Sequence, residues 1–534
     1  MLRAESIPRT RIYMHRPHRI PPSSIHRRLL RTLAAALIVI PTGIEAQQGP
    51  LDGLAAYVEQ GMRDWNVPGL ALAVVKDDSV VFARGFGTRT LGRDEPVDEH
   101  TSFAIASTTK AFTAMALAML VDEGKVHWDD PVSMHVPAFQ LADPGLSGQL
   151  TVRDLLTHRT GLPNSDFLWY ASGSSTDEIL RRMRFLRPFA TPRSRYQYNN
   201  NAYMVAGQVV QSASGMPWSE FVRTRILQPL GMRETLTGFV GLDARGNVAT
   251  PHLEVDGAVR PIPYLSFDNI GPAGSMNSSV SDVARWIRFQ LAGGEWGGER
   301  LVSVAQHREM LAPQFVIPQA LYYPAARLAD PSFTAYGLGW FMQDYRGRKL
   351  AMHTGSIDGM TALVALVPEE RLGLVVFINL DHAELRHALM YRIIDGYLGG
   401  PARDWSAELR PLYQGMEERF RAATRESESR RVRGTRPSLP LSAYAGTYAD
   451  PDSLAGDVEV RMENGRLAAR VAGGAITGQM EHWHYDVFRV RWSQVSMGTS
   501  FITFTIDPEG RVAWARAEGR EFSRVPQASP VATQ

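Results

Sequence analysis

Ser107-Thr108-Thr109-Lys110 stands where an irregular segment runs into a helical pattern over residues 108–123, rich in Ala, Met and Leu and closed by Gly124. If Ser107 opens that helix, Lys110 lies one turn on along the same face. The serine oxygen then sits beside unpaired backbone N–H groups, where developing negative charge is favoured. A lysine whose pKa is lowered by burial can take the serine proton. The bland reading of the same four residues is a helix cap with a surface lysine. Composition weighs against it. Only four of the 57 Lys and Arg residues are lysines: Lys76, Lys110, Lys125 and Lys349. Of these, only Lys110 has a serine three residues before it. Arginine is never deprotonated in a protein, so a general-base lysine is one that an arginine-biased composition cannot replace.

Two other stretches carry chemistry. Tyr198-Asn199-Asn200 precedes an apolar helical pattern over residues 204–210. A phenol can shuttle a proton if a neighbouring cation lowers its pKa, and a side-chain amide can orient a substrate amide. Taken alone, the stretch reads as a polar loop capping a helix. His353-Thr354-Gly355-Ser356 follows an apolar strand pattern and precedes Asp358-Gly359. A glycine at a strand edge lets a substrate backbone approach closely. A donor N–H there, paired with that of the nucleophile, would make an oxyanion hole. Taken alone, this is a strand-to-turn junction.

In this order and at these spacings, the three stretches resemble one family. The chain is similar to the serine β-lactamase and penicillin-binding-protein superfamily, in the branch that includes class C β-lactamases, D-stereospecific peptidases and esterases. That family uses S-x-x-K, then Y-x-N, then K-T-G or H-x-G. Supporting segments are Leu155-Leu156-Thr157-His158-Arg159-Thr160-Gly161-Leu162-Pro163, Gly271-Pro272-Ala273-Gly274 ahead of Ser281-Asp282, Tyr336-Gly337-Leu338-Gly339-Trp340 and the strand ending at Asn379. The resemblance covers about residues 51–398. It implies an α/β (α+β) β-lactamase/transpeptidase-like fold, an antiparallel sheet flanked by helices. It implies that Ser107 is acylated, that Lys110 and Tyr198 move protons and that Asn200 holds the substrate amide. It also implies that His353, Thr354, Gly355 and Ser356 line the substrate, with the N–H groups of Ser107 and Ser356 as the oxyanion hole. His353 stands where many β-lactamases carry lysine. Histidine is largely neutral at pH 7, which favours peptidase or esterase activity over efficient β-lactam hydrolysis.

The order of elements agrees with that fold. Residues 51–65 read as an amphipathic helix, and 70–75 and 80–86 as a hairpin turning at 77–79. Thr151 to Asp154 and Ser279 to Asp282 each resemble a capping box. Short helices and Pro- and Gly-rich loops fill about 160–335, and strands return at 350–353, 361–367 and 373–379 before a helix near 383–398. Two strands first, helices between and strands last suggest a sheet with N-terminal strands beside C-terminal ones and a helical region inserted. The hydrolase-like domain thus spans 51–400. Residues 401–440 read as a charged helix and a linker whose arginine cluster is solvated. Residues 441–526 alternate as short strands, with a hairpin at Asn464-Gly465, and suggest a partly closed β barrel. Tyr444-Ala445-Gly446-Thr447-Tyr448 and His482-Trp483-His484-Tyr485-Asp486 resemble the small lipocalin-like domain often fused to such hydrolases.

Residues 1–46 hold eight arginines and two glutamates, then an apolar run at 33–40 and a small residue at Ala46. That is the pattern of a secretory signal peptide, with Met1 or Met14 as its start, and places the protein in the periplasm or outside the cell. The apolar run is far short of the ~20 residues of a spanning helix, so no membrane span is expected once the leader is removed. Without the leader 49 basic and 53 acidic residues remain, so the +2 of the whole chain becomes −4, which argues against a nucleic-acid partner. No cysteine is present, which excludes disulfides, thiol nucleophiles and Cys-ligated metals. No H-E-x-x-H or G-x-S-x-G occurs, which argues against a zincin or an α/β-hydrolase elbow. His482 and His484 share a strand face and read as ordinary β-domain histidines rather than metal ligands. No cofactor is expected, and the partner is a small-molecule or peptide substrate. Two alternatives stay open: a β-lactamase proper, and a non-catalytic peptide- or β-lactam-binding sensor on the same scaffold.

Overall fold

Successive side chains of a strand point to opposite faces. In the apolar run after Pro68, Ala71, Ala73 and Val75 enter one core and Leu70, Leu72 and Val74 another. A strand buried on both faces needs a helical layer on each side, and this decides the architecture. The computed structural model describes residues 49–526 apart from 401–402, 452–453 and 455. The expected leader, residues 1–46, lies outside the described residues.

The run is strand β1 (Gly69–Lys76), paired with β2 (Ser79–Gly87) across a turn in which Asp77 and Asp78 both take positive φ. The other strands of this sheet are β3 (Phe315–Val316), β4 (Thr334–Tyr336), β5 (Phe341–Tyr345), β6 (Arg348–Ile357), β7 (Met360–Val367) and β8 (Leu372–Ile378). The order is β2-β1-β8-β7-β6-β5-β4-β3, every pair antiparallel. The N-terminal strands therefore lie beside the C-terminal ones. The pattern of residues leaves β3, β4 and β5 unannounced, because two to five residues are too few for a period-two signal.

The helices that matter here are α1 (Leu54–Asp64), α2 (Lys110–Asp122), α3 (Val152–Leu156), α4 (Asn200–Ser214), α5 (Val280–Leu291), α6 (Leu385–Leu398) and α7 (Trp405–Ser429). Helices α1 and α6 cover one sheet face through Leu54, Val58, Leu385 and Leu389. Helix α5 covers the other through Val283 and Ile287, beside α2. All of α2 from Lys110 to Leu120 is buried, the property of a helix with no solvent face. Thr151 and Asp154 form a full capping box at α3. Ser279 and Asp282 do not: Ser279 accepts from the Asp282 N–H, but the Asp282 carboxylate accepts from the N–H groups of Glu234 and Thr235 instead.

Helix α7 buries only its start, at Trp405, Ser406 and Leu409. Beyond it Arg431 is tied to the C-terminal unit, donating to the carbonyls of Trp483 (2.8 Å) and His482 (3.1 Å). That unit is an eight-stranded barrel: β9 (Gly446–Ala449), β10 (Val458–Glu463), β11 (Arg466–Val471), β12 (Ile476–His484), β13 (Val487–Trp492), β14 (Thr499–Ile506), β15 (Val512–Ala517) and β16 (Arg520–Arg524). It closes fully rather than partly, because β9 pairs with β16 through Tyr448 and Arg524. Asn464 and Gly465 both have positive φ, as a two-residue hairpin turn requires. Tyr444, Tyr448, Phe488, Ile502, Phe504 and Phe522 fill the interior. Among the described residues no helix is long and apolar enough to cross a membrane.

Candidate active site

The segment entering α2 makes a sharp turn. Ala106 takes φ 46°, a left-handed conformation that costs a non-glycine residue about 1 kcal/mol and recurs at functional sites. Ala106 to Thr109 form a 3₁₀ turn, and Ser107 is the one residue between 101 and 120 that is not buried. One turn on, Lys110 is fully buried, and its Nζ donates to Asn200 Oδ1 (2.8 Å) and the Ala273 carbonyl (2.8 Å) and lies 3.0 Å from Ser107 Oγ. Burial lowers its pKa from 10.5 to about 7, against the opposing charge of Asp166. A neutral amine has two N–H groups and a lone pair. An amide oxygen and a carbonyl can only accept, so they take both N–H groups and leave the lone pair facing the serine.

Asn200 opens α4 and is held by two partners, accepting from Lys110 and donating from Nδ2 to Asp166 Oδ1 (3.1 Å). Asp166 therefore fixes which way the amide points and leaves one Nδ2 hydrogen for a ligand. Trp169 Nε1 also donates to Asp166 Oδ1 (2.8 Å). Nothing in the local pattern marked this aspartate, which reads as part of an Asn164-Ser165-Asp166 turn.

Tyr198 lies between Phe341, stacked at 6.2 Å, and His158, 4.1 Å away. The Lys110 ammonium lies 4.8 Å from the centre of its ring. Burial holds its phenol well above 10.0, opposed in part by the hydrogen bond with Ser107. A phenol activated by a neighbouring cation is thus not what the site contains; Tyr198 keeps its proton. His158 braces this wall. Its Nδ1 accepts from the Asn199 N–H (3.1 Å), and burial, with the Lys110 charge, keeps the ring neutral.

The third stretch lies on β6. Register with β5 ends at Met352, so residues 353–357 pair only with β7 and turn their other edge to the Ser107 turn. His353 is buried, with Nε2 against Tyr336 Oη (2.8 Å) and Nδ1 against the Thr354 carbonyl (2.7 Å). Burial, with the Lys110 charge, drives its pKa to about 3. Both nitrogens are engaged within the protein, so the ring, 6.3 Å from that of Tyr198, does not offer a cation to a ligand. Thr354 Oγ1 meets Tyr323 Oη at 2.7 Å. Gly355 is needed for the chain's own packing: a Cβ there would lie 2.1 Å from the Ile105 carbonyl oxygen. Ser356 is exposed at the cleft.

Behind this strand stands Arg386, another residue the local pattern did not single out, although a charge inside an apolar helical run was its trace. It is 4% exposed and donates to the Gly355 carbonyl (2.6 Å), Ser356 Oγ (3.0 Å) and the Ala362 carbonyl (3.2 Å). Glu384 pairs with it at 2.9 Å. Burial opposes ionisation of Glu384, but Arg386 and His387 hold it down to about 2.

Ser107, Lys110, Tyr198 and Asn200 thus converge, with Ser356 across from them. His482 and His484 lie apart in the barrel, His482 Nε2 against the Tyr485 carbonyl (2.8 Å) and His484 Nδ1 accepting from the Val432 N–H (3.1 Å). Among the described residues no group of His, Asp and Glu side chains is placed to hold a metal ion.

Residues 54–397 match a family model described as Beta-lactamase, and residues 430–525 match a domain of unknown function, DUF3471. The chain is 30% identical over 431 residues to the Unguisins hydrolase ungD of Aspergillus violaceofuscus, covering 75% of each chain. In three dimensions it resembles the octameric penicillin-binding protein homologue from Pyrococcus abyssi, with a TM-score of 0.59 and 24% identity over 88% of this chain and 99% of that one. It also resembles SurE, with a TM-score of 0.52 and 22% identity over 89% of this chain and 99% of that one. These two likenesses extend the fold over both the sheet domain and the barrel.

Proposed function

Because the chain belongs to the beta-lactamase family, whose members are serine hydrolases, we propose that it is an exported hydrolase that cleaves amide or ester bonds through an acyl-enzyme on Ser107. One observation carries this reading: Lys110 is buried with two acceptor-only partners and Ser107 Oγ 3.0 Å away, the arrangement of a neutral base beside its nucleophile.

In this reading Ser107 Oγ attacks the substrate carbonyl carbon while its proton passes to Lys110 Nζ. The N–H groups of Ser107 and Ser356 receive the negative oxygen. Tyr198, still protonated, gives its proton to the leaving nitrogen or oxygen and regains one from Lys110. Water then attacks the acyl carbon and returns Ser107 to its hydroxyl form. The free Nδ2 hydrogen of Asn200 meets the substrate amide. With His353 neutral and internally bonded, the third stretch brings no fixed cation for a substrate carboxylate. This supports D-amino-acid peptides or esters over β-lactams that depend on their carboxylate, and the relative that bears the name of a hydrolase supports turnover over mere binding. The arginine-rich leader pattern supports export to the periplasm or beyond.

The test is intact mass and turnover after incubation with an acylating cephalosporin, a p-nitrophenyl ester and a D-Ala-D-Ala peptide. An adduct or product that disappears in Ser107→Ala is the expected result. Binding with neither adduct nor product overturns it in favour of a sensor.

A further inference from the structure

Two segments flank the Ser107 nucleophile. One is residues 166–173, whose Asp166 orients Asn200. The other is the turn from β6 to β7, where Asp358 lies two residues beyond Ser356. Loops of the C-terminal barrel reach both.

Asp358 Oδ2 accepts from Tyr170 Oη at 2.8 Å, from Gln494 Nε2 at 3.2 Å and from Ser496 Oγ. Ser496 Oγ also meets Tyr170 Oη at 3.0 Å and accepts from Gln494 Nε2 at 2.9 Å. One partly buried carboxylate thus joins both flanking segments to a barrel loop. Nearby, the Arg520 guanidinium sits 3.8 Å over the Phe167 ring. Gly173 takes φ 66°, and a Cβ on it would lie 3.2 Å from the Ala472 carbonyl oxygen. Leu454, between β9 and β10, is buried in the core of the hydrolase domain with Leu168. The other side of the Asp358 turn is held by the hydrolase domain itself, where the His252 N–H donates to the Gly359 carbonyl at 3.1 Å.

We propose that the barrel is a working wall of the cleft, whose Gln494 and Ser496 hold Asp358 and Tyr170 so that an extended peptidyl substrate is gripped between the 166–173 segment and the β6–β7 turn. Gln494 and Ser496 are positioning residues for that grip and take no part in bond breaking. The proposal rests on the hydrolase reading for its substrate and on the contacts alone for its mechanics. A substrate with a small acyl group reaches Ser107 without touching this rim, whereas a peptidyl acyl group several residues long must pass it.

The test uses the full-length protein and its Gln494→Ala/Ser496→Ala double variant, with Asp358→Asn as a second variant that keeps the side-chain shape. Two readouts are taken. The first is amide hydrogen exchange of residues 166–173 and 356–361, which needs no substrate. Both segments are expected to exchange several-fold faster while the Ser107 turn and the barrel strands stay unchanged. The second is hydrolysis of p-nitrophenyl acetate against an acetyl-D-Ala-D-Ala p-nitrophenyl ester. The acetate is expected to hold its kcat/KM within about twofold. The peptidyl ester is expected to lose about tenfold, mainly in KM, which is the scale of charge-assisted hydrogen bonds. Unchanged exchange in either segment overturns the proposal whatever the activity. An equal loss on both esters overturns it in favour of a stabilising role only. Wild-type protein inert to both esters, with faster exchange in the variants, overturns the hydrolase reading and the substrate half of the proposal and leaves the mechanical half supported.

Discussion

Replacing Asp166 by asparagine keeps the size and most of the hydrogen bonding of the side chain and removes one negative charge. That charge reaches Lys110 across a single amide: Asn200 donates to Asp166 at 3.1 Å and accepts from Lys110 at 2.8 Å. The carboxylate therefore lies roughly 6–7 Å from the ammonium, and at an effective dielectric constant of ~20 the pair attracts by about 2.5 kcal/mol. At ~1.4 kcal/mol for each tenfold, its removal lowers the lysine pKa by one to two pH units. The wild-type value is about 7, set by burial with Asp166 opposing. His158 and His353, which also face Lys110, are neutral and do not compensate. Only the neutral lysine accepts the serine proton, so kcat/KM rises with pH through this pKa. The acid limb of Asp166→Asn is thus expected at about pH 5–6 in place of about 7. The assay is p-nitrophenyl ester hydrolysis as a function of pH, with Asp166→Glu as the variant that keeps the charge. Loss of packing alone lowers the plateau and leaves the limb where it was. An acid limb in Asp166→Asn that stays near 7 or moves upward refutes the coupling.

Lys110→Arg keeps the charge and loses the base, and acylation measured by stopped flow is expected to fall by ~10²–10⁴; near-normal acylation sinks the role of Lys110. Tyr198→Phe removes one hydroxyl and is expected to lower kcat by ~10²-fold, and since the phenol titrates well above 10.0, the wild-type rate should show no alkaline fall from it up to about pH 10; a wild-type limb near pH 8–9 that vanishes in the variant contradicts this. Gly355→Ala places a methyl 2.1 Å from the Ile105 carbonyl oxygen and must push β6 away from the nucleophile turn; denaturant titration should show a loss of about 2–3 kcal/mol, and an unchanged midpoint refutes the close approach. Glu384 has its pKa lowered from 4.5 to about 2, so its stabilisation is present above about pH 4.5 and is lost as pH falls toward 2. It amounts to roughly 3 kcal/mol, and Arg386→Gln should remove most of it and flatten acid unfolding in that window; an identical acid profile in the variant excludes the pairing.

Much of the fold was legible because its signals are local. The hairpin of β1 and β2, the Ala-, Met- and Leu-rich α2 and the Asn464-Gly465 turn follow from side-chain pattern and turn chemistry within a few residues. Strands β3 and β4 were not legible, since two or three residues carry no period; β4 exists because β5 offers it an edge, and β3 because β4 does. The capping box expected at Ser279 failed for a similar reason: Asp282 found better donors in Thr235 and Glu234, 47 and 48 residues away. The full closure of the barrel depends on Tyr448 meeting Arg524, a pairing that no window of sequence contains.

The site divides in the same way. The sequence by itself determined that Ser107 and Lys110 share a helical face, because a three-residue spacing is a property of one helical turn. It also determined that this lysine is the one such residue in an arginine-rich chain. Only the tertiary structure decided what the lysine does. Its pKa falls because α2 is buried on every side, and its hydrogens are directed by Asn200 and Ala273, 90 and 163 residues on. The same holds for His353, whose ring the fold buries and bonds to Tyr336 and to the Thr354 carbonyl. Proton affinity and side-chain direction depend on desolvation and on distant partners, and both exist only once the chain has packed.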